Sequence, residues 1–318
     1  MIVLLTIKQE VNNLSAFLIS LSGAAFWGLS GTMADVLFTD FSMNPLSVLA
    51  LRMLISGIVM LIIFRPKFPK ENFKLIVLYA ILSVVLQLSY LETINLSNAA
   101  TATFLQFLYF PIVVIYEIFR KKLILGKRIV TGMLCALSGI VLLTLDVNGS
   151  GLSVSPLAIL IGMICATSAA VYTIISAPLV QRYGSIPLVT WGFFLGSLIS
   201  FPIGLPSIMD FFGHLQTSSL PEVSFLIMFV AIFGTIIAFS LYSFGLKKIS
   251  ASSAAVAGTM EPISASLSSS IILGQFLSPF QYLGGALIIF SMVFSQLGIS
   301  RQKPRGNRVR RLIKIRMR

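Results

Sequence analysis

The sequence predicts an all-α polytopic membrane protein: ten transmembrane helices arranged as two inverted five-helix repeats. Three observations predict it. The 318 residues are 57% hydrophobic and only 10% charged, with a mean hydropathy of +0.97, whereas a soluble domain is nearer a quarter charged. Lysine and arginine occupy every second connection between the apolar runs and are missing from the others. A stretch of small residues that runs into a mid-span proline occurs twice, 151 positions apart at Pro111 and Pro262.

The elements follow in order. Residues 1–13 form an N-terminal segment. Met1 to Ile7 is apolar but too short to cross a bilayer, and Lys8 and Glu10 cancel. The run from Leu14 therefore lacks the basic flank of a cleaved signal and reads as a retained first helix. Apolar runs place spans at about 14–37, 44–64, 73–93, 98–119, 126–146, 154–178, 186–206, 221–244, 251–273 and 278–298, each near the roughly 20 residues one crossing needs. Turn residues punctuate them at Asn44-Pro45, Pro66 with Pro69, Asn95, Gly126, Asn148-Gly149, Gly184, Pro221 and Ser278-Pro279. The first repeat takes residues 14–146 and the second 154–298, followed by a basic tail over 299–318.

Loop charge sets the orientation. Arg65, Lys67 and Lys70 follow the second span, Arg120 to Lys122 and Lys127 the fourth, Arg182 the sixth, and Lys247 with Lys248 the eighth. The connections after the odd spans carry Asp40, Asp146, Asp210 and Glu222 and no lysine or arginine. Basic residues favour the cytoplasmic side, so both termini are expected in the cytoplasm of a multi-pass plasma-membrane protein.

The repeat extends beyond the prolines. Pro45-Leu46 opens the second span and Pro187-Leu188 the seventh; Tyr90 and Tyr242 are 152 positions apart. Five spans per copy is an odd number, so the copies must insert upside down relative to each other, and their flanking charges agree. Inverted repeats with broken helices are a signature of secondary transporters, whose substrate site lies near the midplane. A mid-span proline removes a helix hydrogen bond, and a break at that depth is tolerated only against protein or a water-filled cavity. Pro111 and Pro262 are therefore the expected helix breaks.

The first half carries Trp27-Gly28, Leu51-Arg52-Met53, Tyr90 and Ser97 to Ala102, and the second carries Tyr242, Gly245-Leu246-Lys247, Ser250 to Ala255, Glu261-Pro262 and Leu273-Gly274, in order. In these the chain resembles the EamA family of the drug/metabolite transporter superfamily, over about residues 15–145 and 155–297. It departs at Gln275, where the family often has glutamate, at Ala169, where tryptophan is common, and in the charged run Phe119 to Lys122. The resemblance implies a ten-helix bundle that moves small organic metabolites, amino acids among them, often outward, with spans three, four, eight and nine around a central cavity.

Glu261 is the chief candidate site residue. An intramembrane acid is costly and points to a substrate amine or a coupling proton; the plainer reading is a structural acid paired beside the proline. Arg52 is about as deep. It could hold a substrate carboxylate, but in a second span expected to be peripheral it reads first as a structural cation satisfied by Glu261, another acid or backbone carbonyls. Gln87, Tyr90, Gln106 and Tyr109 could hydrogen-bond a substrate or join helices, and Tyr242 occupies the position in the second copy that Tyr90 holds in the first. Trp27 and Tyr172 could receive a cation or a ring or pack in the core. Asp35, Glu92 and Glu117, close to span ends, are expected to reach interfacial water. Gly192, Gly196, Ser200 and Gly204 form a small-residue stripe suited to close helix contact.

Other chemistries find little support. Cys135 and Cys165 lie in apolar runs with no metal-ligand spacing, and His214 is expected in a polar loop. No nucleophile with its base, metal cluster or Walker-type loop appears. The reading is therefore a carrier, not an enzyme, with no cofactor and no bound metal. Its partners are a small-molecule substrate and the bilayer; a channel or a membrane scaffold is the alternative. Half of Arg301 to Arg318 is lysine or arginine. Beside so many spans this favours anionic inner-leaflet lipid over nucleic acid, at about 1 kcal/mol per basic residue near the surface.

Overall fold

The computed structural model describes residues 2–120, 123–146, 151–152, 154–246, 248–249 and 251–300. The first half holds α1 (Ile2–Thr39), α2 (Pro45–Phe64), α3 (Phe73–Leu96), α4 (Ala99–Gln106), α5 (Tyr109–Phe119) and α6 (Lys127–Thr144). The second holds α7 (Pro156–Tyr183), α8 (Ser185–His214), α9 (Leu220–Ala231), a π-helical stretch Ile232–Ile237, α10 (Ala238–Leu246), α11 (Ala251–Gly258), α12 (Met260–Ile272) and α13 (Pro279–Ser300).

Among the described residues nine helical stretches are long and apolar enough to cross a membrane. The expected ninth span, 251–273, is not one of them: its helices α11 and α12 are rich in serine and carry Glu261 and Pro262, whereas Ala99–Phe119, also divided, is apolar enough to qualify. Large apolar side chains such as Leu134, Leu137 and Val141 on α6 are exposed, as suits a surface whose solvent is lipid.

Helix starts follow local chemistry. Asn44 accepts a hydrogen bond from the Leu46 N–H at 2.8 Å and Pro45 opens α2; Ser155 accepts from the Ala158 N–H at 3.1 Å and Pro156 opens α7. Both pair an N-cap with proline at the first helical position.

The halves pack as exchangeable partners. α6 runs along α13 and α2 along α8; α3 packs on α7, and α10 packs on α1. Swapping first-half helices for their second-half counterparts turns each contact into another on this set. The crossings are close because small residues meet there. A Cβ on Gly139 would lie 2.7 Å from the Gly284 carbonyl oxygen, and one on Gly284 2.6 Å from that of Gly139. The stripe on α8 faces α2 and α3: Gly204 lies against Ala50, Ser200 and Gly196 against Met53, and Gly192 against Tyr79.

Several expectations are corrected. α2 is not peripheral: Leu49, Ala50, Met53 and Met60 on it are fully buried, because the α8 stripe lets the two helices close on each other. α8 continues through Pro202 and Pro206 to His214, whereas the first membrane-length stretch starts at Leu14 as expected, within a helix that begins at Ile2. His214 is thus the last residue of a helix, with Nδ1 2.9 Å from the Asp210 carbonyl oxygen. Asp35 does not reach interfacial water and is 1% exposed. The connection between the halves carries a two-residue antiparallel pair, Leu145–Asp146 with Gly151–Leu152. Asn148-Gly149, Lys121, Lys122, Lys247, Ser250 and the tail Arg301 to Arg318 lie outside the described residues.

Candidate functional site

Both expected breaks occur, each a few residues before its proline. α4 ends at Gln106 and α5 starts at Tyr109; α11 ends at Gly258 and α12 starts at Met260. The proline ring clashes with the carbonyl four residues back. For Pro111 that residue is Phe107 and for Pro262 it is Gly258, so the helix yields there and each proline sits in the first turn of the next helix. Tighter bonds bridge the gaps: Leu108 N–H to Leu105 O at 3.1 Å, and Thr259 N–H to Val256 O at 3.2 Å.

The breaks face a cavity of about 290 Å³, at the small end of the roughly 300–1,000 Å³ typical of small-molecule sites. Trp27, Arg52, Gln87, Tyr90, Gln106, Tyr109, Tyr172, Tyr242 and Glu261 all line it. They come from eight helices in both halves. Pro262 is buried behind the wall, and Pro111 lies instead beside a separate apolar pocket with Leu108 and Met133.

Two ionisable side chains define the polarity of the cavity. Arg52 is 6% exposed, so its guanidinium must be satisfied by protein. Nε donates to Thr235 Oγ1 at 2.8 Å, Nη1 to Gln87 Oε1 at 3.1 Å and Nη2 to the Gly234 carbonyl oxygen at 3.2 Å. Gly234 and Thr235 belong to the π-helical stretch, whose wide turn disturbs the ordinary ladder and can leave a carbonyl open to an outside donor. Thr235 in turn donates to the Val230 carbonyl, five residues back, at 3.2 Å. Arg52 is therefore held by neutral acceptors on α3 and the π-helix.

Glu261 is half-buried and lies in the first turn of α12, where the helix dipole favours a carboxylate. Among the described residues no hydrogen bond or ion-pair contact reaches its carboxylate. Arg52 and Glu261 thus share one cavity without forming a contact pair. The equivalent of Glu261 in the first half is Phe110 on α5, so the acid belongs to one half only.

The remaining wall is aromatic. Trp27 stands with its ring centroid 4.9 Å from Phe239 and 4.8 Å from Tyr242, and its indole N–H is buried without an acceptor among the described residues. Tyr172 stacks on Tyr79, centroids 4.7 Å apart, and their hydroxyls are hydrogen-bonded. The Tyr90 hydroxyl pairs with Thr103 Oγ1 at 2.9 Å, and Gln106 Oε1 lies 3.6 Å from the Cys165 sulfur. The arrangement offers an acid, a cation with donors to spare and aromatic side chains around one cavity.

Sequence reasoning missed Phe107, Phe193 and Phe239 in this wall, since nothing local separates a cavity phenylalanine from a core one. It also missed Thr235 and Gly234 as the seat of Arg52, and misplaced Asp35, which accepts the Ala99 N–H at 3.1 Å.

Comparison with known proteins places this geometry. The chain matches the EamA-like transporter family over residues 14–145 and again over 156–296. It is 30% identical over 297 residues to an uncharacterized inner membrane transporter of Salmonella typhimurium, YicL, covering 90% of this chain and 96% of that protein. It is 26% identical over 292 residues to an uncharacterized transporter of Bacillus subtilis, YwfM, covering 89% and 94%. A solved crystal structure shares the fold at a TM-score of 0.60 and 18% identity, covering 90% of this chain and 98% of that one. With two tandem matches spanning nearly its whole length and a cavity where its halves meet, this multi-pass helical membrane protein belongs to the EamA-like transporter family.

Proposed function

We propose that this protein is a secondary transporter of the drug/metabolite type that exports small organic metabolites, such as amino acids, from the cell by alternating access through the central cavity. The observation that carries the reading is the separation of Glu261 from Arg52 in one cavity. A half-buried acid and a buried cation in one cavity would normally pair to offset their desolvation. Here Arg52 engages three neutral acceptors, which leaves two of its five N–H donors, and among the described residues no hydrogen bond or ion-pair contact joins it to Glu261. A substrate with an amine and a carboxylate would complete both, with its body against Trp27, Tyr109 and Tyr242.

In this reading α11 and α12 together form the ninth of ten spans, and the two five-helix units, 14–146 and 154–298, are inverted relative to each other. Both termini are cytoplasmic in the plasma membrane, and the tail 299–318 lies on anionic lipid. The breaks at 107–108 and 259 let the half-helices α4, α5, α11 and α12 tilt separately, which exposes the cavity to one side at a time. An inner-membrane relative supports the location, and the exchangeable helix pairing supports the repeat.

Counterflow into proteoliposomes tests the function. Purified protein should accelerate uptake of at least one labelled amino acid or related zwitterion, saturably and with competition by unlabelled substrate. Linear, non-saturating flux or an ion current would favour a channel; no flux across a metabolite panel would favour a scaffold.

A further inference from the structure

Asp35 takes no part in the cavity, yet it is the most deeply buried acid among the described residues whose burial is known. It lies one turn from the end of α1, where water would be within reach. Its carboxylate instead accepts the N–H of Ala99 at 3.1 Å. Ala99 is the first residue of α4, and its amide is one of those a helix start leaves unpaired. The N-cap Asn98 already serves α4 from within, accepting from Thr101 N–H at 2.8 Å, and would travel with the helix. Asp35 belongs to α1 and would not.

The same end of α1 holds the other broken helix. Thr32, one turn before Asp35, pairs with Ser268 Oγ at 2.6 Å and Ser269 Oγ at 3.3 Å on α12. α1 therefore acts as a strut to which the outer halves of both broken spans are fastened, one by a hydroxyl pair and one by an acid. α4 leads directly to the break at 107–108 and carries Gln106 into the cavity.

We propose that Asp35 is a gating residue: its carboxylate latches the N-terminus of α4 to α1, closing the cavity toward the α1–α2 loop, and each transport cycle must release this bond. The proposal rests on the alternating-access reading above.

The test uses the full chain with Cys135 and Cys165 replaced by alanine and Thr173→Cys as a reporter in the cavity wall. A membrane-impermeant maleimide is applied to vesicles of each orientation. Asp35→Ala removes the acceptor. Ala99→Pro removes only the donor, at a helix position where proline is well tolerated and after a residue, Asn98, already extended at φ −169° and ψ 167°. Both variants should raise the labelling rate from the α1–α2 loop side about tenfold, with a matching fall from the other side. Asp35→Asn, which keeps an acceptor, should shift it less. If Asp35→Ala fails to fold, Ala99→Pro decides alone. An unchanged ratio between the two sides in folded protein overturns the latch, and so does an equal rise from both sides, which would mean general loosening. Ser42→Cys in the exposed α1–α2 loop reports which face that loop occupies, so a wrong orientation is read separately. Counterflow on the same preparations separates a failed transporter reading from a failed latch.

Discussion

Replacing Glu261 by glutamine should impair transport while leaving the fold intact. The side chain keeps its shape and loses its charge. Among the described residues no side-chain hydrogen bond to the carboxylate is lost, only its through-space interaction with Arg52, so stability should change by no more than about 1 kcal/mol. The substrate interaction is another matter. A hydrogen bond to a charged group contributes about 1.5–3 kcal/mol and a neutral one about 0.5–1.5. The difference, about 1–1.5 kcal/mol, corresponds to roughly a tenfold loss of affinity for an amine-bearing substrate. Initial counterflow rates across a range of substrate concentrations, at equal protein incorporation, should show KM raised about tenfold and the melting temperature unchanged. KM and maximal rate both within twofold of wild type would refute the role of Glu261. A marked drop in melting temperature would show instead that the carboxylate holds the fold together.

Arg52→Met should lose stability as well as substrate affinity. It forfeits three interhelical hydrogen bonds, each worth about 0.6 kcal/mol on average in a membrane protein, so unfolding in detergent or bicelles should show a loss of about 2 kcal/mol; wild-type stability would mean these bonds carry nothing. For topology, Ser42→Cys should react with an impermeant maleimide on intact cells and Lys67→Cys only after permeabilisation, since the basic loops are expected inside; the reverse pattern would invert the assignment. Removing residues 301–318 should weaken binding to anionic vesicles, with the loss shrinking at high salt, and leave melting unchanged; equal vesicle binding would make the tail an ordinary solvated segment.

The helices were legible in the sequence because their causes are local. Apolar run length places a span, an asparagine or serine followed by proline starts one, and Pro111 and Pro262 break one at the residue four positions back. Even the candidate cavity was legible, since polar and aromatic residues at mid-span depth are costly facing lipid and so collect where the breaks are. What the sequence could not reveal was partnership. Arg52 meets Thr235 across 183 positions and Asp35 meets Ala99 across 64. Which acid stays alone in the cavity and which is sealed behind it depends on how closely α1, α4 and α12 approach. That approach is set by small residues on facing helices, Gly28 against Ala265 and Gly31 against Ala99. A side chain's depth along its own helix is a local property; whether it faces lipid, cavity or a neighbour's backbone amide is decided only when the helices close on one another, because in lipid that packing rests on contact shape and hydrogen bonds rather than on hydrophobicity.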